Sequence, residues 1–176
     1  MNNQGVRSTG KTVVYTGLFL ALGLLLPQLF HFMPIPDVGR VMLPMHIPAI
    51  LAGYLLGSRS GMIVGFLSPV MSCMLFQMPA MLTMPIMAVE IMCYGLVAGI
   101  AGKKIKSTYL GLILVMICGR IASGLMYVVM INLFGVAGLN MQMFFLSISA
   151  GVPGMILQLL VIPPMIKLLR KVNGGM

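Results

Sequence analysis

Apolar residues along this chain come in six long runs, separated by short polar or proline-rich breaks. The first covers about 12–33 and stops at the Pro34/Pro36 turn. The second, about 43–57, is short and carries Pro44 and Pro48 near its start, and "GSRSG" at 57–61 then turns the chain. The third covers about 61–77 with Pro69 inside, the fourth about 81–102, the fifth about 108–134 and the sixth about 146–169. A membrane-crossing helix needs roughly 20 apolar residues, fewer where the helix is partly buried in protein. Each run therefore predicts a transmembrane helix, and the second and third also admit a re-entrant hairpin. No internal repeat suggests two inverted halves.

Composition sharpens this into a class. Hydrophobic residues make up 60% of the 176 and charged residues 7%, whereas a soluble domain carries about 25% charged residues. Such a chain cannot cover a water-facing surface. The expected fold is an all-α integral membrane protein, a single transmembrane domain over 1–176. Arg7 and Lys11 before an apolar stretch resemble the start of a signal peptide, but the stretch runs on too long and reads as a retained first span.

The 11 basic residues against 2 acidic ones give a net charge of +9, which by itself suggests a nucleic-acid surface. Their positions give a different reason. With the N-terminus in the cytoplasm and six alternating spans, Arg7, Lys11, Arg59, Lys103, Lys104, Lys106, Lys167, Arg170 and Lys171 all fall inside, and the outer loops hold only Arg40. That one-sidedness is what the positive-inside rule predicts for a chain with both termini cytoplasmic, and it argues against nucleic acid as a partner. Arg59 also argues against the re-entrant alternative. Cys73, Cys93 and Cys118 lie inside apolar runs with no metal-ligand spacing, and read as small core residues.

Glu90 and Arg120 are the two charges deep inside predicted spans, away from their cytoplasmic ends. An ionisable group there costs at least ~2.5 kcal/mol on insertion scales, so it normally faces a partner or a cavity. Counting from the span ends at 1.5 Å per residue puts each ~12 Å below the outer surface. Level with one another on adjacent spans, they form a structural ion pair, reach a ligand from the outer side, or do both.

The outer segment "HFMPIPDVGRVMLPMHIP" gathers His31, Asp37, Arg40 and His46 between prolines, and reads as a lid over a binding site or as a stiff connector. The spacing of His31, Asp37 and His46 does not make a metal site, and neither histidine has an obvious partner in sequence. Gln77 follows the third run, Asn132 and Gln158 lie within spans, and the loop "GVAGLNMQ" adds Asn140 and Gln142. Each is a candidate substrate contact with helix–helix hydrogen bonding as the alternative. Gly17 and Ala21 form a small-x-x-x-small pair that clears one face of the first span, for internal packing or for another subunit. No nucleophile–base set stands out, and no cofactor or metal is implied.

"GVRSTGKT" at 5–12 fits the phosphate-loop pattern letter for letter. A phosphate loop needs a buried strand before it and an acidic residue for Mg²⁺. Only four residues precede Gly5, and an apolar span follows Thr12. The match reads as a decoy on the way into the first span.

The stretch "LPMHIPAILAGYLLGSRSGMIVGFLSPVMS", continuing to "MPIMAVEIMCYGLVAGI", resembles the substrate-binding S component of an energy-coupling factor (ECF) transporter, closest to the group for folate, pantothenate and pyridoxine. The resemblance implies a multi-pass subunit of a prokaryotic plasma membrane. It captures a vitamin or precursor (pantothenate, pyridoxine, folate or α-ribazole class) at its outer face, under the first, third and fifth loops. It implies partners as well: a transmembrane coupling subunit and two ATP-binding subunits that hydrolyse the ATP, so that the chain itself is not an enzyme. The family's Ala-x-x-x-Ala coupling motif falls on Gly17 and Ala21, a departure that keeps the face small. The substrate contacts expected are Arg120, Glu90, Arg40, His46, Gln77, Asn132, Asn140 and Gln158. The alternative is a stand-alone dimeric secondary transporter of a small solute, for which only Glu90 qualifies as the coupling acid.

Overall fold

A computed structural model of the protein describes residues 3–31, 42–136 and 138–173. These form six helices: α1 (Asn3–His31), α2 (His46–Leu56), α3 (Ser58–Phe76), α4 (Met84–Lys104), α5 (Thr108–Asn132) and α6 (Met141–Asn173). Five of them, all but α2, are long and apolar enough to cross a membrane. The all-helical reading holds. The spans differ from expectation mainly at their ends, with α1 starting before residue 12 and α6 running from Met141 to Asn173 rather than 146–169. Residues 5–12 are helical throughout, so "GVRSTGKT" forms no loop around a phosphate.

The second run is the main departure. At 11 residues, α2 is ~16 Å long, about half the ~30 Å hydrocarbon core. It is sheltered by protein rather than lipid: every residue from Pro48 to Tyr54 is buried, against α1, α3, α4 and α6. A helix enclosed in this way need not match the bilayer thickness. Pro48 is tolerated because it lies in the first helical turn, where its missing N–H has no intrahelical role.

α4 is the centre of the bundle, and glycine is why it fits there. A Cβ on Gly61 of α3 would strike the Gly95 carbonyl of α4, one on Gly95 would strike the Gly61 carbonyl, and one on Gly65 would strike the Ile91 carbonyl. The same holds for Gly99 against the backbone of Ser58, and for Gly53 of α2 against Gly95. Gly61/Gly65 and Gly95/Gly99 are thus facing G-x-x-x-G faces that bring backbones into contact. Gly57, at φ 99°, makes the one-residue turn between α2 and α3 in a conformation that disfavours a Cβ. Around this contact Ile50, Val64, Ile91, Tyr94, Leu112, Val115 and Ile162 form the core.

α1 runs parallel to α3, with Thr16 Oγ1 3.0 Å from Ser60 Oγ and Gly23 against Ser68. The short α2–α3 and α4–α5 turns therefore lie at one end with the start of α1 and the end of α6. Lys11, Arg59, Lys103, Lys104, Lys106, Lys167 and Lys171 are all exposed there, the clustering that the charge pattern anticipated.

Gly95→Leu is expected to lower thermal stability of the purified protein by at least 1–3 kcal/mol, the usual cost of overpacking. Gly17→Leu, where nothing lies within 4 Å of an added Cβ, is expected to stay within about 0.5 kcal/mol. Thermal melts of both variants in one detergent check the contrast.

Candidate functional site

Glu90 projects from the second turn and a half of α4 into a space bounded by α2, α5 and α6. Its position follows from the α3–α4 glycine contact one turn below, which fixes how deep α4 sits. Glu90 is 5% exposed, and Arg120 Nη1 of α5 donates to its Oε1 across 3.0 Å. The level placement counted from the sequence holds, and the pair is real. Tyr94, one turn along α4, donates its hydroxyl to the same Oε1 across 3.3 Å. Ser123, three residues beyond Arg120 and 1% exposed, also faces the carboxylate.

His46 completes the group. It opens α2, is 2% exposed, and brings Nε2 to 3.7 Å from Glu90 Oε1, an electrostatic approach longer than a hydrogen bond. Its ring lies 5.0 Å from that of Tyr94, tilted by 56°. His46 thus has the partners that were not obvious in sequence. The turn at 43–45 sends the chain into a helix, and His46 faces inward rather than into an outer loop.

Two glycines make room for these side chains. A Cβ on Gly119 would collide with the Tyr94 ring, and one on Gly151 of α6 would sit 2.6 Å from Arg120 Nη2. The guanidinium therefore lies across the backbone of α6.

The group is incompletely satisfied. Among the described residues, Arg120 Nε and Nη2 and both His46 ring nitrogens have no hydrogen-bond partner. Glu90 uses one of the guanidinium's nitrogens. The remaining two, Nε and Nη2, form the side-on fork that matches a carboxylate or a similar planar acceptor. Arginine offers donors alone, so whatever completes this site must present acceptors to it.

The other expected contacts fare differently. Gln158 is fully buried on α6. Gln77 is exposed at the end of α3. Asn132 is exposed, and its Nδ2 donates to the Val128 carbonyl. Asn140 caps α6, its Oδ1 accepting from the Met143 N–H across 2.9 Å. Those three stand at the same end of the bundle as the ion pair but are not gathered around it. Arg40 and Asp37 lie outside the described residues, as do the side chain of His31 and residues 32–41 of the segment read as a lid, while its last part has Met45, His46 and Pro48 buried at the start of α2. Gly17 and Ala21 are exposed on α1. No group of three or more His, Cys, Asp or Glu able to hold a metal occurs among the described residues.

Sequence reasoning missed Tyr94, Ser123, Gly119 and Gly151. The first two were within reach, since Tyr94 is Glu90 plus four and Ser123 is Arg120 plus three, the spacings that share a helix face.

Among curated proteins and among solved structures, nothing matches the chain. The family model described as "ECF transporter, substrate-specific component" matches residues 11–166, which takes in all of α2 to α5, most of α1 and α6, and every residue of the buried charge group. The chain belongs to the substrate-specific component family of ECF transporters, as an integral-membrane transport subunit.

Proposed function

We propose that this protein captures a vitamin or vitamin precursor at the outer face of a prokaryotic plasma membrane and delivers it for ATP-driven uptake. The observation that carries this is the buried Glu90–Arg120–His46–Tyr94 group, placed in the half of the bundle away from the exposed lysines and left with unpartnered donors. A purely structural ion pair inside a membrane bundle would be expected to satisfy the remaining guanidinium nitrogens, because each unsatisfied buried donor costs about 1–3 kcal/mol. A ligand completes them.

ATP hydrolysis belongs, in this reading, to two partner subunits, joined through a transmembrane coupling subunit. The docking face proposed for the coupling subunit is the outward side of α1. Gly17 and Ala21 point away from the rest of the chain, with Val14, Leu18 and Leu25 exposed alongside by 70%, 53% and 57%. Among the described residues, nothing lies within 4 Å of an added Cβ on Gly17, and Ala21 is exposed, so internal packing does not account for the pair's small residues.

Purified protein screened against water-soluble vitamins is expected to be stabilised by one of them, by ~2.7 kcal/mol at 100 times its dissociation constant. Arg120→Ala is expected to lose that response and to melt lower, since stranding a buried charge costs about 3–5 kcal/mol. The double variant Glu90→Gln/Arg120→Gln, which strands no charge, is expected to recover most of the stability and none of the binding. Binding retained in the double variant would refute the site, and uptake by the chain alone in proteoliposomes would refute the need for partners.

Gly17→Leu/Ala21→Leu is expected to leave vitamin binding within twofold and to reduce association with the coupling subunit at least tenfold. Pull-down with co-expressed partner subunits reads the second effect. Undiminished association would remove α1 as the docking face.

A further inference from the structure

Gln158 is the largest polar side chain that the ion-pair group leaves unexplained. It lies at the middle of α6 with 0% exposure, and among the described residues neither its Nε2 nor its Oε1 has a hydrogen-bond partner. A buried amide missing both its donor and its acceptor bonds is unusual in a folded protein. It is more unusual still where water is scarce. Its place on the helix matters. Gly151, against which the Arg120 guanidinium rests, is seven residues earlier on the same face of α6, ~10 Å along the axis. Helical side chains lean toward the helix N-terminus, the direction in which Gly151 lies from Gln158.

We propose that Arg120 and Gln158 are the two ends of one bipartite substrate site, specific for a compact acid that carries an amide-like group within ~10 Å of its carboxylate. The side-on fork of Arg120 Nε and Nη2 takes the carboxylate. Gln158 offers an NH2 donor group and a carbonyl acceptor, the complement of an amide C=O and N–H. Both ends are left unsatisfied by the described residues, and a single ligand of this length satisfies both. A ligand without a carboxylate, such as a pyridine alcohol, leaves the Arg120 fork unpaired. Folate carries an amide close to its carboxylates, and it is the length of its ring portion beyond that amide that sets it outside a compact site. This rests on the reading of the Glu90–Arg120 group as the substrate site.

The test uses calorimetric titration of the purified full-length chain with pantothenate, pantothenol, folate, pyridoxine and α-ribazole. Pantothenate has a carboxylate and an amide at the required separation, and pantothenol replaces the carboxylate by an alcohol. Wild type is expected to bind pantothenate best and pantothenol at least tenfold more weakly. Gln158→Leu is expected to weaken pantothenate at least tenfold while melting no lower than wild type without ligand, because no protein hydrogen bond is lost. A lower melting temperature or an unchanged affinity in Gln158→Leu would make the residue structural and overturn the proposal. Preferential binding of pyridoxine, α-ribazole or folate that is lost in Arg120→Ala would overturn the bipartite specificity and leave the substrate site standing. Binding of none of the five would overturn both.

Discussion

A carboxylate surrounded by apolar helices must be neutralised, and the arrangement of this protein's outer half follows from how Glu90 is neutralised. Arg120 supplies the charge at 3.0 Å, which fixes the vertical register of α5 against α4. The same Oε1 accepts from Tyr94 and draws His46 to within 3.7 Å, which ties the first residue of α2 to the other two helices. That geometry depends in turn on contact without side chains. With Cβ atoms at Gly61 and Gly95, α3 and α4 could not approach backbone to backbone, and α4 would not reach the depth at which Glu90 meets Arg120. Packing and charge are divided between residues on one helix, Gly95 and Gly99 making the backbone contacts of one half and Glu90 and Tyr94 the polar contacts of the other.

The ion pair itself contributes little net stability. Desolvating two charges offsets much of their attraction, and buried pairs are often replaceable by apolar residues at no loss. Under the proposed function, its place in a chain with two acidic residues in all follows from its use. The unpartnered fork of Arg120 is the part of the pair that no helix-to-helix contact requires.

Much of this was legible in the sequence, for reasons that can be stated. Run length and one-sided charge gave the helices and their ends, because lipid imposes both. Counting residues from the span ends placed Glu90 and Arg120 at one level. Other features were hidden. Periodicity does not distinguish a short helix sheltered by protein from a spanning one, so the second run, though visibly short, read as a span or half of a re-entrant hairpin. The prolines around His46 suggested a loop, since a proline in a first helical turn looks the same in sequence as one in a connector. Gln77, Asn132 and Asn140 read as site candidates because a polar residue near a helix end carries no mark of which way it points. In the structure Asn132 and Asn140 bond to nearby backbone groups. The facing glycine pairs were visible only as high glycine content, because which helix meets which is a property of the fold.

The claim that most needs testing is that the buried charge group holds a transported solute. Native mass spectrometry of the full-length chain, released from detergent after purification and incubation with a vitamin mixture, measures this directly. The account predicts one bound small molecule per chain in wild type and none in the Glu90→Gln/Arg120→Gln variant. An equal bound mass in both, or a folded wild-type chain that carries no small molecule, would contradict it.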